Sequence, residues 1–214
     1  MLTDGGIVVI DYGLGNPASV KNMLRKAGHQ AEVTADHAAI RSASRLILPG
    51  VGAFDHGMQN LADRGLIDVL NEAVLVRRVP MLGICLGLQL MSRRSEEGVL
   101  PGLGWFAADT IRFAFPPEAH DLRIPHMGWN TVAKTSDTFL AANLAADARF
   151  YFVHSYHVRC DERADVALTA PYGGEVVAAA VKGNIAGTQF HPEKSHKFGL
   201  ALLRSFVEWE PACA

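Results

Sequence analysis

Between residues 7 and 94 the chain alternates short apolar runs with helix-forming segments, and turn or capping residues separate them. Ile7 to Asp11 is a continuous apolar run closed by an acid, the pattern of a strand buried on both faces. Gly13-Leu14-Gly15 makes a turn, Asn16 is a good N-cap, Pro17 suits the first helical position, and Gly28 ends the predicted helix. Gln30 to Thr34 reads as a second strand, Asp36 to Ala43 as a short helix and Arg45 to Leu48 as a third strand. After Pro49-Gly50-Val51-Gly52, helical material is expected through Arg78. Met81 to Ile84 is a fourth strand, followed directly by a helix over Leu86 to Arg94. Such alternation implies parallel strands joined by helical crossovers.

The second half changes character. Glu97 to Gly104 reads as loop, and Trp105 to Val132 holds short strand-like pieces broken by Pro116-Pro117 and Pro125. Phe150 to Val158 and Val166 to Ala170 look like strands; Glu175 to Lys182 and Ile185 to Phe190 should pair as a hairpin about Gly183-Asn184. An amphipathic helix is expected over Ser195 to Trp209. With no internal repeat, low-complexity stretch or linker, the economical reading is one α/β domain over 1–214, a mostly parallel sheet flanked by helices with an added antiparallel segment.

Composition narrows the function classes. Hydrophobic residues make up 49% of the chain, yet no apolar run approaches the ~20 residues a spanning helix requires. Met1 to Gly6 lacks a basic stretch leading into an apolar one, so no secretory signal is expected. A net charge of −2 argues against nucleic acid as partner. Cys85, Cys160 and Cys213 are odd in number and widely spaced, which fits reduced thiols in the cytoplasm. No metal and no cofactor are expected, because the histidines and cysteines show no ligand spacing.

Gly83-Ile84-Cys85-Leu86-Gly87 lies between a predicted strand and a predicted helix, the setting of a nucleophile elbow with cysteine as the nucleophile. Such a turn strains the nucleophile's backbone and tolerates only small neighbours, hence glycine two residues before and two after. It also sets the sulfur at a helix N-terminus, where the macrodipole favours thiolate. Without that setting, Cys85 would read as a buried structural cysteine.

A thiolate needs a proton acceptor that later protonates the leaving amine, and histidine suits both roles. His191-Pro192-Glu193 follows a predicted strand, where catalytic groups of parallel sheets gather. Glu193 could hold one ring nitrogen of His191 as the third member of a triad. Alone, His-Pro-Glu would be an ordinary surface turn; paired with the elbow it reads as function. Gly50 and Gly52 allow the Val51 peptide to present an N–H to an oxyanion, and Leu86 N–H would be the second donor. The alternative for that segment is a plain glycine-rich turn.

Gln89 lies one helical turn after Cys85 and could reach a substrate, although helical glutamine is commonly a solvated residue. His154-Ser155-Tyr156-His157 ends a predicted strand and is a candidate pocket wall, or else an exposed hairpin face. Arg93-Arg94 with Glu96-Glu97 reads as a solvated helix end. His126-Met127-Gly128-Trp129-Asn130 is compatible with an interface, and equally with a core tryptophan.

These segments resemble the class I (triad-type) glutamine amidotransferases, whose fold is flavodoxin-like, and more narrowly the glutaminase subunit of imidazole glycerol phosphate synthase, the HisH family. The elbow and His-Pro-Glu are shared by the superfamily. I-D-Y-G-L-G-N at 10–16 and P-H-M-G-W-N at 125–130 narrow the resemblance to one branch, supported by L-P-G-V-G-A-F at 48–54, G-I-C-L-G-L-Q at 83–89, S-E-E-G at 95–98, P-G-L-G at 101–104, F-Y-F-V-H-S-Y at 150–156 and G-T-Q-F-H-P-E-K-S at 187–195. The resemblance implies glutamine as substrate, attacked by Cys85 with His191 and Glu193 in support. It implies Val51 and Leu86 at the oxyanion, and a pocket of Gly50, Gly52, Gln89, His154, Ser155 and Tyr156. It also implies a heterodimer in which ammonia passes to a (β/α)₈-barrel cyclase subunit that makes imidazole glycerol phosphate and AICAR in histidine biosynthesis. A barrel of about 250 residues does not fit in this chain, so that subunit would be a separate polypeptide. Pro17, Leu88, the segment His56 to Asn60 and the segment Ser195 to Gly199 depart from the usual pattern. The two segments resemble a paralogous branch that supplies ammonia to a sugar amidotransferase in surface-polysaccharide synthesis.

Two rivals predict different residues. A thiol hydrolase or chaperone-like protein of this fold would not need the Gly50–Gly52 turn, Gln89 and His-Pro-Glu together. A non-catalytic regulatory subunit would be expected to lack the nucleophile or the base, and both are present.

Overall fold

A computed structural model describes residues 6–116, 118, 121–142 and 144–211. The N-terminal reading over residues 1–5, Pro117 and Cys213 lie outside the described residues. In chain order the strands are β1 Ile7–Ile10, β2 Ala31–Thr34, β3 Arg45–Gly50, β4 Met81–Cys85, β5 Ala108–Arg112, β6 His126–Thr131, β7 Ala133–Lys134, β8 Arg149–His154, β9 Tyr156–Cys160, β10 Val166–Pro171, β11 Glu175–Lys182 and β12 Ile185–Thr188. The α-helices are α1 Pro17–Lys26, α2 His37–Ser42, α3 Phe54–Asp63, α4 Leu66–Asn71, α5 Leu86–Leu90, α6 Phe139–Ala142 and α7 His196–Glu208.

Eight strands form one sheet in the order β2-β1-β3-β4-β12-β11-β10-β7. The first five of these are parallel, a doubly wound arrangement, and the last three continue it antiparallel. Two small antiparallel sheets, β5 with β9 and β6 with β8, stand apart from it.

The apolar runs of the parallel strands are continuous because both faces are covered. Val8, Ile10, Leu46, Leu48 and Met81 pack on one side with Phe54, Leu61 and Val69 of α3 and α4. Ile7, Val9, Ile47, Leu82 and Ile84 pack on the other with Val20 and Leu24 of α1 and Leu203 and Phe206 of α7. Asn16 caps α1, its side chain accepting from Ser19 N at 3.1 Å, and Asp36 caps α2 through Ala39 N at 2.8 Å.

Several elements differ from the sequence reading. The helix after Cys85 stops at Leu90 rather than Arg94. Beyond it the carbonyls of Leu90, Met91, Ser92 and Arg93 accept instead from the N–H groups of residues 102–106, so the backbone turns away to pair with that loop. Arg93 and Arg94 are therefore not a helix end but an ion-pair cluster, both bonded to Asp109, with Arg93 also holding Asp161. The expected strand over Phe150 to Val158 is two strands broken at Ser155. One half pairs with β6 (His154 opposite His126), the other with β5 (Tyr156 opposite Arg112). The strand before His191 ends at Thr188. The helical material before Arg78 divides into α3, α4 and a π turn over Glu72–Val76. The short β7 and α6 carry too little periodicity to be read from sequence.

Candidate active site

The β4–α5 junction turns on Cys85 itself, with φ +53° and ψ −106°. A non-glycine residue is rarely held there, and such strain concentrates at functional sites. The flanking glycines serve close packing. A Cβ on Gly87 would lie 1.8 Å from the Leu48 carbonyl oxygen, and one on Gly83 2.7 Å from Leu88 N. The elbow can therefore press against β3 and its own helix only with glycine at both places.

His191 follows β12, the parallel neighbour of β4. Its N–H donates to Tyr151 O at 2.9 Å, and Ser195 Oγ donates to its carbonyl at 2.6 Å, so the backbone is clamped from two sides. The one-turn 3₁₀ segment Pro192–Lys194 carries Glu193 back over the ring, where Oε1 meets His191 Nδ1 at 2.7 Å. Both side chains are buried. Burial opposes charge on His191, but interactions with Cys85 and then Glu193 outweigh it and raise the ring's pKa to about 9. Nδ1 is engaged by Glu193, so the interaction with Cys85 falls to Nε2, which makes no hydrogen bond of ordinary geometry. A histidine of this kind can hold the proton of a thiol and return it to a leaving group.

A cavity of about 240 Å³ opens over Cys85. Val51, Gly52, Leu86, Gln89, His154, Ser155 and Tyr156 line it with Cys85, as do Pro125 and Val153, which were not expected there, and Glu97, which was expected in a solvated helix end. Gly50 does not line it but lies beneath, where a Cβ would sit 2.4 Å from the Tyr12 hydroxyl and 2.8 Å from Leu86 Cβ. Gln89 is buried rather than solvated, its Nε2 donating to Tyr156 O at 2.8 Å. His154 Nδ1 lies 2.8 Å from the same carbonyl, and burial pushes its pKa down to about 3, so its imidazole is neutral. Tyr12 is fully buried beside this floor, and burial together with nearby Cys85 raises its phenol above the usual range.

Glu97 is held in place by α3: its Oε2 accepts from Phe54 N at 2.9 Å, while Asp55 accepts in return from Val99 N and Leu100 N. Gln189 is a further residue that the sequence reading missed. It is fully buried, with Nε2 3.7 Å from Cys85 Sγ. A polar side chain inside an apolar strand run was its one signal in the sequence. Among the described residues, no group of three or more His, Cys, Asp or Glu is placed to hold a metal ion.

The sequence matches the profile of the family described as glutamine amidotransferase class-I over residues 8–209. The chain belongs to the class-I glutamine amidotransferases. Within this family it is 49% identical over 202 residues to a Methanococcus maripaludis protein named imidazole glycerol phosphate synthase subunit HisH 2, covering 94% of this chain and 98% of that one. A Pseudomonas aeruginosa protein of the same name matches at 49% with the same coverage, and a Leptospira interrogans subunit HisH at 42% over 201 residues, 94% and 98% of the two chains. Among solved structures, a glutamine amidotransferase superposes with a TM-score of 0.70 at 20% identity, covering 95% of this chain and 98% of its own. A second glutamine amidotransferase, from Thermotoga maritima, gives a TM-score of 0.67 at 18% identity over 94% and 96% of the two chains. The doubly wound sheet is thus the fold of class-I glutamine amidotransferases. No helix among the described residues is long and apolar enough to cross a membrane.

Proposed function

We propose that this chain works as a single glutaminase domain, the subunit of imidazole glycerol phosphate synthase that hydrolyses glutamine and hands on ammonia. The observation that carries the chemistry is the strained Cys85 at the end of β4 with the His191–Glu193 pair beside it at the end of β12. The relatives named as HisH subunits support the pathway.

In this mechanism His191 takes the Cys85 proton and the thiolate attacks the side-chain amide carbon of glutamine. The carbonyl π electrons move to oxygen, and the oxyanion rests on the N–H groups of Val51 and Leu86. As the tetrahedral intermediate collapses, its C–N bond breaks and His191 Nε2 gives its proton to the departing nitrogen, leaving ammonia and a γ-glutamyl thioester. His191 then deprotonates a water that attacks the thioester; the C–S bond breaks with its electrons going to sulfur, glutamate is released, and His191 returns the proton to Cys85. Glu193 holds the ring with Nε2 toward the sulfur throughout. Gln89, Glu97, His154, Ser155 and Tyr156 shape the space for the substrate's remaining atoms.

The word subunit in those relatives' names calls for a partner, and we assign it as a cyclase of (β/α)₈-barrel form, joined in a heterodimer. Val51 at the cavity and Ile124, next to cavity-lining Pro125, are exposed large apolar residues; Met127 and Trp129, farther along β6, are exposed at 61% and 45%. Val51 and Ile124 are bared at and beside the cavity, and exposed apolar side chains of this kind suit a docking face.

The test is glutamate release from glutamine, by the chain alone and with the barrel subunit of the same organism. Wild type is expected to turn over slowly alone and faster with the partner, and Cys85→Ala to release nothing above background. Wild-type turnover by Cys85→Ala would end the glutaminase reading; failure of any barrel subunit to bind or stimulate would end the pairing. A nucleotide-linked sugar serving as the ammonia acceptor of the co-purifying partner would replace the histidine-pathway assignment.

A further inference from the structure

Two amide side chains and one backbone carbonyl meet behind the nucleophile, and only one direction of hydrogen bonding satisfies them. The chain begins at the Tyr156 carbonyl, which can only accept. Gln89 must therefore turn Nε2 toward it, and does so at 2.8 Å. The same Nε2 lies 3.2 Å from the Gln189 side chain, so the atom facing it there is the acceptor Oε1. Gln189 is left with its amide nitrogen on the Cys85 side, 3.7 Å from Sγ, within range for an N–H···S bond. The backbone under Gln189 is fixed as well, since its own N–H donates to Ala178 O at 2.8 Å. Its side chain has no solvent exposure, so water cannot substitute for it.

We propose that Gln189 is a positioning residue for the nucleophile, donating its amide N–H to the Cys85 sulfur and stabilising it in the charged, attacking form. This rests on Cys85 being the nucleophile. A thiol is a weak acceptor and a thiolate a strong one, so a donor held at the sulfur favours loss of the proton. Gln89 matters here in a second way, because it is the residue that keeps the Gln189 amide from turning its oxygen to the sulfur.

The test reads the sulfur directly. Alkylation of Cys85 by iodoacetamide is followed by peptide mass spectrometry across pH in the full chain, with Cys160 as internal reference. Gln189→Glu keeps the shape and still accepts from Gln89, but at neutral pH has no N–H to give. Gln189→Leu removes both functions. In each, alkylation of Cys85 at pH 7 should slow about tenfold, because a thiolate without its donor is that much less populated. The deficit should close at strongly alkaline pH, where the thiol is ionised in every variant, while Cys160 reacts as in wild type. Wild-type rates at all pH values, or a deficit equal at every pH, would overturn the proposal; the second result is what mere disturbance of packing produces. If Gln189→Leu does not fold, Gln189→Glu decides alone. The glutaminase reading stands or falls separately, on glutamate release by Cys85→Ala.

Discussion

Cys85 and His191 stand side by side because β4 and β12 are parallel neighbours, registered Gly83 to Gly187 and Ile84 to Thr188. Neither strand could come so close to α5 with larger residues at those places. A Cβ on Gly187 would meet the Leu88 side chain at 2.4 Å, and one on Gly83 the backbone of the same residue at 2.7 Å. The pairing of sulfur and imidazole is thus a property of sheet register and small residues, with side-chain contacts refining it.

His191→Ala should lower kcat about 10²–10⁴-fold, the usual contribution of a general base. Glu193→Gln should be milder, on the order of a hundredfold less damaging than loss of the base it orients. Single-turnover glutamate release for the two variants measures this. Equal losses would show that Glu193 does more than orient the ring.

Gly87→Ala should destabilise the fold by on the order of 3 kcal/mol, because the new methyl falls on a backbone carbonyl that cannot move without displacing β3. The urea midpoint of unfolding is the measurement. A midpoint within error of wild type would mean that the elbow does not pack on Leu48 as described.

Stability should peak near pH 6.5 and fall on both sides. His191 has a folded-state pKa raised to about 9. Its contribution is complete below the unfolded-state value near 6.5 and is lost as pH rises through about 9. His154 and His126 are shifted the opposite way by burial, to about 3 and about 4. For these the unfolded chain binds protons first, so stability is complete above about 6.5 and declines as pH falls toward the folded-state values. His126 lies flat against Phe152 and Tyr172, at 4.6 and 3.8 Å between ring centroids. Replacing it with phenylalanine should keep the stack and flatten the acid limb of a plot of Tm against pH. An unchanged acid limb would remove His126 from the account.

Trp129→Ser should leave Tm nearly unchanged, since the ring is half exposed and, among the aromatic groups of the described residues, touches only Tyr151 and His196. Binding of the barrel subunit should weaken about thirtyfold or more, as for a central aromatic of an interface. Titration calorimetry decides between that result and an unaltered Kd, which would place the docking face elsewhere.

Much of this architecture is legible in local chemistry. Continuous apolar runs ended by turns and caps imply buried parallel strands with crossover helices, and Asn16 and Asp36 cap helices as their side chains suggest. Glycines two residues either side of Cys85 mark the elbow because the reason for them lies within a few residues and in the strand next door. The helix end at Leu90 and the break at Ser155 are not legible, as each is set by a pairing partner distant in sequence: residues 102–106 for the first, β5 and β6 for the second.

The same division runs through the site. Sequence determined that this chain carries a strained cysteine, a histidine and a glutamate at strand ends, since turn chemistry and hydrophobic runs are local properties. That Gln189 approaches the sulfur, that Glu97 is pinned to Phe54 N, and that Gly50 lies under the cavity and not in it were decided by tertiary structure alone. Those contacts depend on sheet register and on which face of a strand meets which loop. A shift of one residue in pairing would exchange inside for outside without changing any local signal.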